Sequence, residues 1–554
     1  MIFDARFRPP SVVPRFQAAL FGLAAYAAPA CAVQIETEVP DLKMSWDNTV
    51  KYSNAFRLKD RSPTLVALPS QDDGDRNFGK GLISNRFDLL SEFDLRYKRY
   101  GFRVSGAAWY DTVYNRSNDN NSAGLYGPGT NSVNQYGSAY NEFTPAARRL
   151  HGRQAELLDA FVFGTFDVAD RPVSLRLGRH TVLYGESLFM GANGIARAQA
   201  PIDIVKGLSV PGTPFKELIR PVPQISGTAQ VSDNVSLGAY YQFRWEADRV
   251  PAAGSYFSFS DNTGDGAARL QPVAVLPGAD RRPDQTPRNS GQGGMQLRWR
   301  VGESDLGFYA VRFHSKSLAQ YTYLNAPPSV YPIGYQLTYA EDTRAFGASI
   351  SRTFDDVNVA AEVSTRRNMP LVSIVSLFPA FGQSGDNSGN PKYAVGNSLH
   401  AQVSMLWTLP RTPLFDEGSL AGEVAWNRVL SVTQNPSAVD PNSTRDAWGF
   451  RMVVTPVYRQ VASGLDVEVP MGLGYNPRGA SRVVPLFNAP ASDKGGDVSI
   501  GVTGIYLDRW RIGINYTHYF GSQGTFLDAT STRRTFKQLY GDRDFISLNL
   551  RTTF

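Results

Sequence analysis

Residues 83–97 read ISNRFDLLSEFDLRY, and their alternation decides the fold. Phe87, Leu89, Phe93 and Leu95 fall on one side of an extended chain; Arg86, Asp88, Glu92, Asp94 and Arg96 fall on the other. A period of two marks a strand whose two faces meet different surroundings. The pattern extends outward in both directions. Met44, Trp46, Val50 and Tyr52 oppose Lys43, Ser45, Asp47, Thr49 and Lys51, and Val498, Ile500 and Val502 oppose Asp497, Ser499 and Thr503. Trp510, Ile512, Ile514 and Tyr516 oppose Arg511, Asn515 and Thr517.

The connections between such runs follow a rhythm. Short polar turns (YKRYG, VADRP, VSDNV, VGESD, FDD, VASG, LDR) alternate with long segments rich in Asn, Ser, Gly and Pro, such as NRSNDNNSAGLYGPGTNSVNQYG and FGQSGDNSGNPKYAVGN. Short turns at one end and long loops at the other belong to outer-membrane barrels. No long apolar helix follows the N-terminal region, so a membrane is crossed by strands. The expected fold is all-β: a single large antiparallel transmembrane β-barrel of about 18 strands (16–18), wide enough for an aqueous lumen. Both termini then lie on the short-turn, periplasmic side.

Composition agrees. Of 554 residues, 19% are charged and 12% aromatic, a balance suited to a wall greasy outside and polar inside. Residues 1–32 read as a secretory signal: Arg6, Arg8 and Arg15, then the apolar FQAALFGLAAYAAPA, then small residues around Ala30-Cys31-Ala32. Residues 33–554 are the expected barrel domain. Cys31 is the one cysteine and falls in the discarded segment, leaving no disulfide or thiol chemistry. Three signal arginines less Asp4 take +2 of the chain's +6 and leave +4, too mild a charge for a nucleic-acid partner.

Tryptophan placement assigns inside and outside. Trp46, Trp245, Trp299, Trp407, Trp426, Trp448 and Trp510 fall on the apolar face, most near a strand end, as in the aromatic girdles of membrane barrels. Trp109 does not. The last run, FISLNLRTTF, finishes on Phe554, a terminal aromatic that resembles the signal read by the barrel-assembly machinery.

Several segments, among them PDLKMSWDNTVKYS, DDGDRNFGKGLISNRFDLLSEFDLRYK, LRLGRHTVLYGESLFMGANGIARAQAPIDI and PQISGTAQVSDNVSLGAYYQF, resemble the family known as domain of unknown function 1302. The resemblance implies a Gram-negative outer-membrane setting. It also implies handling of lipophilic compounds and an envelope partner of the resistance–nodulation–division permease type. It brings no catalytic residues.

One stretch departs from strand rhythm: GESLFMGANGIARAQAPIDIVKGLSVPGTPFKELIR, residues 185–220, in the third long connection. Leu188, Phe189, Met190, Ile195, Ile202, Ile204, Val205 and Leu208 need burial, and the barrel mouth offers it. Short helical turns are expected near 202–208 and 215–219. Glu186, Arg197, Asp203, Lys206, Lys216, Glu217 and Arg220 are the candidate constriction residues; a purely structural plug is the competing reading. Strand parity sends Arg86, Asp88, Glu92, Asp94, Arg96, Arg298, Arg300, Arg451 and Arg511 into the lumen, where they select ions weakly toward anions or form cross-strand ion pairs.

Asp72, Asp73 and Asp75 hint at a calcium loop but lack its spacing, which favours a hydrogen-bonded external turn. The histidines are scattered, with no zinc spacing, so no metal or cofactor is expected. His518, placed at the start of a loop four residues before Ser522, shows no orienting partner, and no GxSxG occurs. The reading is a non-enzymatic channel or facilitator for small, partly lipophilic solutes, with outer-membrane lipid around it. A structural, adhesin or envelope-complex protein is the alternative.

Overall fold

The computed structural model describes every residue except 1–32, 36, 123–131, 137, 271–278, 326–330, 376, 378–384 and 486. The expected signal segment and its cleavage site therefore lie outside the described residues.

The principal sheet contains 20 strand segments. Val33–Ile35 lies alongside the first long strand, and two consecutive segments form one wall strand, leaving 18 staves. In chain order these are β1 (Leu42–Arg57), β2 (Gly81–Tyr97), β3 (Tyr100–Asp111), β4 (Arg153–Val168), β5 (Arg171–His180) and β6 (Val222–Ser232). Next come β7 (Val235–Gln242), β8 (Gln292–Val301), β9 (Ser304–Phe313), β10 (Thr343–Phe354), β11 (Val357–Pro370) and β12 (Val395–Leu409). The wall finishes with β13 (Glu417–Gln434), β14 (Asp446–Ala462), β15 (Leu465–Glu468 continued by Met471–Arg478), β16 (Gly496–Tyr506), β17 (Trp510–Phe520) and β18 (Phe545–Thr553). Each strand pairs antiparallel with the next, and β18 returns to β1 through Thr49↔Thr553 to Arg57↔Phe545. The result is a closed barrel without a free edge, the arrangement that satisfies every backbone group in lipid. Phe554 extends the seam by exchanging both backbone hydrogen bonds with Asn48.

Alternation sorts the wall. Phe87, Val162, Leu177, Met295, Ile350, Val403, Val424 and Ile514 stand exposed on the outside. Ser105, Asp111, Glu362, Ser398, Gln402, Glu423 and Arg451 are buried inside. An apolar exterior around a polar interior is the surface of a transmembrane barrel. The short connections use the tight turns that match strand twist: Ala169 and Asp170, both with positive φ, join Val168 to Arg171.

The long connections are not loose. A separate four-stranded sheet forms above the barrel from Arg269–Leu270, Ala279–Arg281, Ala319–Leu324 and Pro332–Thr338, which strand rhythm did not reveal. A second apolar core gathers Phe78, Tyr114, Phe143, Tyr256 and Tyr540 from different connections. Trp245 belongs to this external layer and not to the lipid face expected for it. It follows the end of β7, lies edge-on to Tyr339 at 4.8 Å and donates its indole N–H to the Ser315 carbonyl. Of the remaining girdle tryptophans, Trp46, Trp299, Trp407 and Trp448 are exposed and Trp426 and Trp510 half-buried on the wall strands, and Trp109 is buried inside.

Candidate functional site

The third external connection, 181–221, folds into the barrel. Its backbone turns through Ile195–Ala198, a 3-10 helix, and the short α-helices Ile204–Ser209 and Phe215–Leu218, close to the expected positions. Asp203 caps the second of these by accepting from the Lys206 N–H. Its apolar side chains are buried against the inner wall. Ile195 and Ala198 pack with Tyr240, Tyr309 and Val311, while Phe189 and Met190 pack with Met369, Ala425, Val429 and Ala447.

Two wall carboxylates hold the segment in place. Glu362 of β11 accepts from the backbone N–H of Ile195 at 2.7 Å and of Glu186 at 2.9 Å. Glu423 of β13 accepts from the N–H groups of Phe189 and Met190 and from the Ser187 hydroxyl at 2.9 Å. Arg366 of β11 donates to the carbonyls of Ala192, Asn193 and Gly194. Gly185 makes the close approach possible: its φ is 91°, and a Cβ there would lie 2.2 Å from Glu362 Oε2. A charged hydrogen bond to backbone is worth about 1.5–3 kcal/mol, so several together fix the segment firmly.

The candidate constriction charges mostly face partners. Glu186 pairs with Arg298 of β8 at 3.1 Å, and Arg197 forks onto Asp248 at 2.9 and 2.7 Å. Asp203 pairs with Arg249 at 3.0 Å, and Arg220 with Glu156 of β4 at 3.0 Å. Lys206 and Glu217 pair with each other at 3.4 Å near the surface, and Lys216 is exposed. The strand candidates are likewise engaged. Arg86 pairs with Asp88 and stacks over Trp109, Arg103 bridges Glu92 and Asp94, and Arg96 lies over the Phe163 ring. Arg451 forks onto Asp497 of β16, and Arg511 faces Glu468 at 3.5 Å. Arg300 is exposed at the short-turn end, across from Asp305.

A Ser–His–Asn arrangement, unseen in the sequence, lies beneath the inserted segment. Ser398 Oγ is 2.9 Å from His400 Nε2, and His400 Nδ1 is 3.1 Å from Asn193 Oδ1. The order matches a hydrolytic triad. Ser398 is fully buried, however, and Asn193 also bonds the carbonyls of Ala401 and Trp426. The arrangement ties the inserted segment to β12 and β13. His518 stands within β17, not at a loop start, and does have an orienting carboxylate: Asp544 lies 2.6 Å from its Nδ1, with Lys59 on the same carboxylate. No serine hydroxyl bonds it among the described residues. Nor do the described residues contain a group of three or more His, Cys, Asp or Glu that could hold a metal ion. The Asp72–Asp75 stretch forms a buried helical turn in the external layer, with Asp261 accepting from the N–H of Asp72.

Above the inserted segment lies a cavity of about 680 Å³, a size suited to one small organic molecule. Its wall combines Phe189, Met190, Phe215, Phe259, Leu371 and Phe487 with Arg197, Asp248, Lys316, Arg366 and Arg451.

A closed barrel with an apolar exterior, an inserted loop and a cavity at the long-loop end defines a membrane barrel of the outer-membrane type. The chain belongs to the family described as "Protein of unknown function (DUF1302)", whose model matches residues 13–554. No curated protein matches it. Similar solved structures include OccAB3 of Acinetobacter baumannii, with TM-score 0.43 and 10% identity over 93% of this chain and 100% of that one. They also include opdK of Pseudomonas aeruginosa (0.40, 11%, 92% and 98%) and Salmonella typhi OmpF in complex with daunomycin (0.34, 8%, 93% and 98%). These likenesses concern fold alone.

Proposed function

We propose that this protein is a passive outer-membrane channel or facilitator that admits small, partly apolar solutes through its external cavity. The observation that carries the reading is the fixed insertion of residues 185–220. A segment bolted to the inner wall by Glu362, Glu423 and Arg366 occupies part of the barrel interior, and in this reading it narrows the lumen. Immobile lining groups and a restricted radius are what selective diffusion requires. The apolar and aromatic wall above the narrowing favours solutes with hydrocarbon or ring surface, since water leaves such a wall readily.

Planar-bilayer recording of the refolded protein tests this. Discrete conductance steps that depend on protein addition are expected. A folded barrel that neither conducts nor supports solute entry into liposomes contradicts the channel reading and favours the structural one.

A further inference from the structure

We propose that the external cavity binds amphipathic monoanions, with Lys316 taking the anionic head and the aromatic wall taking the body. This rests on the channel reading of the same cavity and names its solute class.

Arg197 is occupied by both oxygens of Asp248, Arg451 by Asp497, and Arg249 by Glu156 and Asp203. Lys316, in the connection that follows β9, has no ion-pair partner among the described residues. It is 2% exposed, its Nζ has no hydrogen-bond partner, and it lies in the cavity wall. A buried ammonium without a partner is costly unless something completes it. The backbone there is fixed, because the Asp248 N–H donates to the Lys316 carbonyl.

The charged groups facing this amine are Arg197 and Asp248, which already neutralise each other. Burial, aided by Arg197 and opposed by Asp248, lowers the amine to about 7. A bound carboxylate reverses that penalty, so binding takes up a proton near neutrality. The Phe313 ring, 5.9 Å from Nζ, and Leu318 continue the apolar surface away from the head position. Arg366 and Arg534 also line the cavity without an ion pair, but Arg366 is spent on three backbone carbonyls and Arg534 lies over the Phe526 ring, so Lys316 is the lining ammonium left for a ligand. A cavity with such a cation and rings along its wall fits a molecule with a charged end and a flat apolar body.

The matched probes 2-naphthoate and 2-naphthamide separate charge from shape. Calorimetric titration of the purified full-length barrel is expected to show naphthoate binding about tenfold more tightly than naphthamide. The preference should fade as pH rises through the range where the amine loses its proton. Lys316→Met should abolish the preference, whereas Lys316→Arg should keep it. Equal binding of the two probes, binding of neither, or a preference that survives Lys316→Met would overturn the proposal. The wild-type comparison needs no variant to fold. Conductance without acid preference sinks this inference alone; acid preference without conductance sinks the channel reading instead.

Discussion

The two ends of the barrel are built on opposite electrostatic terms. At the short-turn end, ion pairs such as Arg99–Asp167, Arg171–Asp233 and Arg459–Asp466 stand in solvent across tight hairpins. At the long-loop end, charges are buried and shared between connections. Asp75 meets Arg57 at 2.8 Å and Arg543 at 3.1 Å, and Arg543 also donates to the carbonyls of Tyr256 and Ser258. Pairs of the first kind add little, because water screens them. Networks of the second kind fix geometry, because removing one member strands the others away from water. The contrast shows where the molecule is specified in detail: at the external mouth, where solute would enter, and not at the hairpins that merely close the wall.

The sharpest way to break this comparison is Asp75→Ala. It leaves two buried guanidinium groups short of a carboxylate and should cost about 3–5 kcal/mol in the external layer. Limited proteolysis of the assembled protein should then cut the connections 58–80 and 521–544 much faster than in the wild type. Unchanged protection would mean the layer is held by its apolar core alone.

A smaller effect is expected from Asp261→Asn. Burial, followed by the charges of Asp73 and Asp72, raises the Asp261 pKa well above the ordinary carboxylate value. A group raised in the folded state holds its proton better there, so its contribution to stability falls as pH climbs through its unfolded value toward its folded one. The variant should therefore outlast the wild type under protease by a margin that grows as pH rises above the ordinary carboxylate range. His151, lowered to about 3 by burial and nearby arginines, works with the opposite sign, so variant and wild type are compared at each pH. A margin independent of pH would contradict the raised carboxylate.

The smallest effect belongs to the other end. Asp167→Asn, which removes the exposed partner of Arg99, should leave assembly and heat-modifiability unchanged. A clear defect there would show that the short-turn end carries more than hairpin closure.

The wall was legible in the sequence for a physical reason. Parity along 83–97 already separates Phe87 from Arg86, and lipid outside with water inside enforces that separation in every strand. The inserted segment was legible too, because Phe189, Met190 and Ile195 are too apolar for an exposed loop. Its anchors Glu362, Arg366 and Glu423 were not legible. A carboxylate that caps backbone N–H groups looks, in sequence, like any lumen charge. Trp245 was misread because alternation was carried past Gln242, where β7 stops and packing within the external layer takes over. The pairing of Asp280 and Arg281 with Gly334 and Tyr335 in the external sheet, and the His400–Asn193 contact, join residues distant in sequence, and no local pattern encodes them.

The central claim is that the inserted segment sets the narrowest part of a diffusion path. Replacing residues 195–208 by a Gly/Ser linker of equal length tests it most directly, with liposome swelling in sugars of graded size as the readout. The account predicts a folded, heat-modifiable barrel whose exclusion limit rises above that of the intact protein. A folded variant with an unchanged limit would place the segment outside the path and contradict the account.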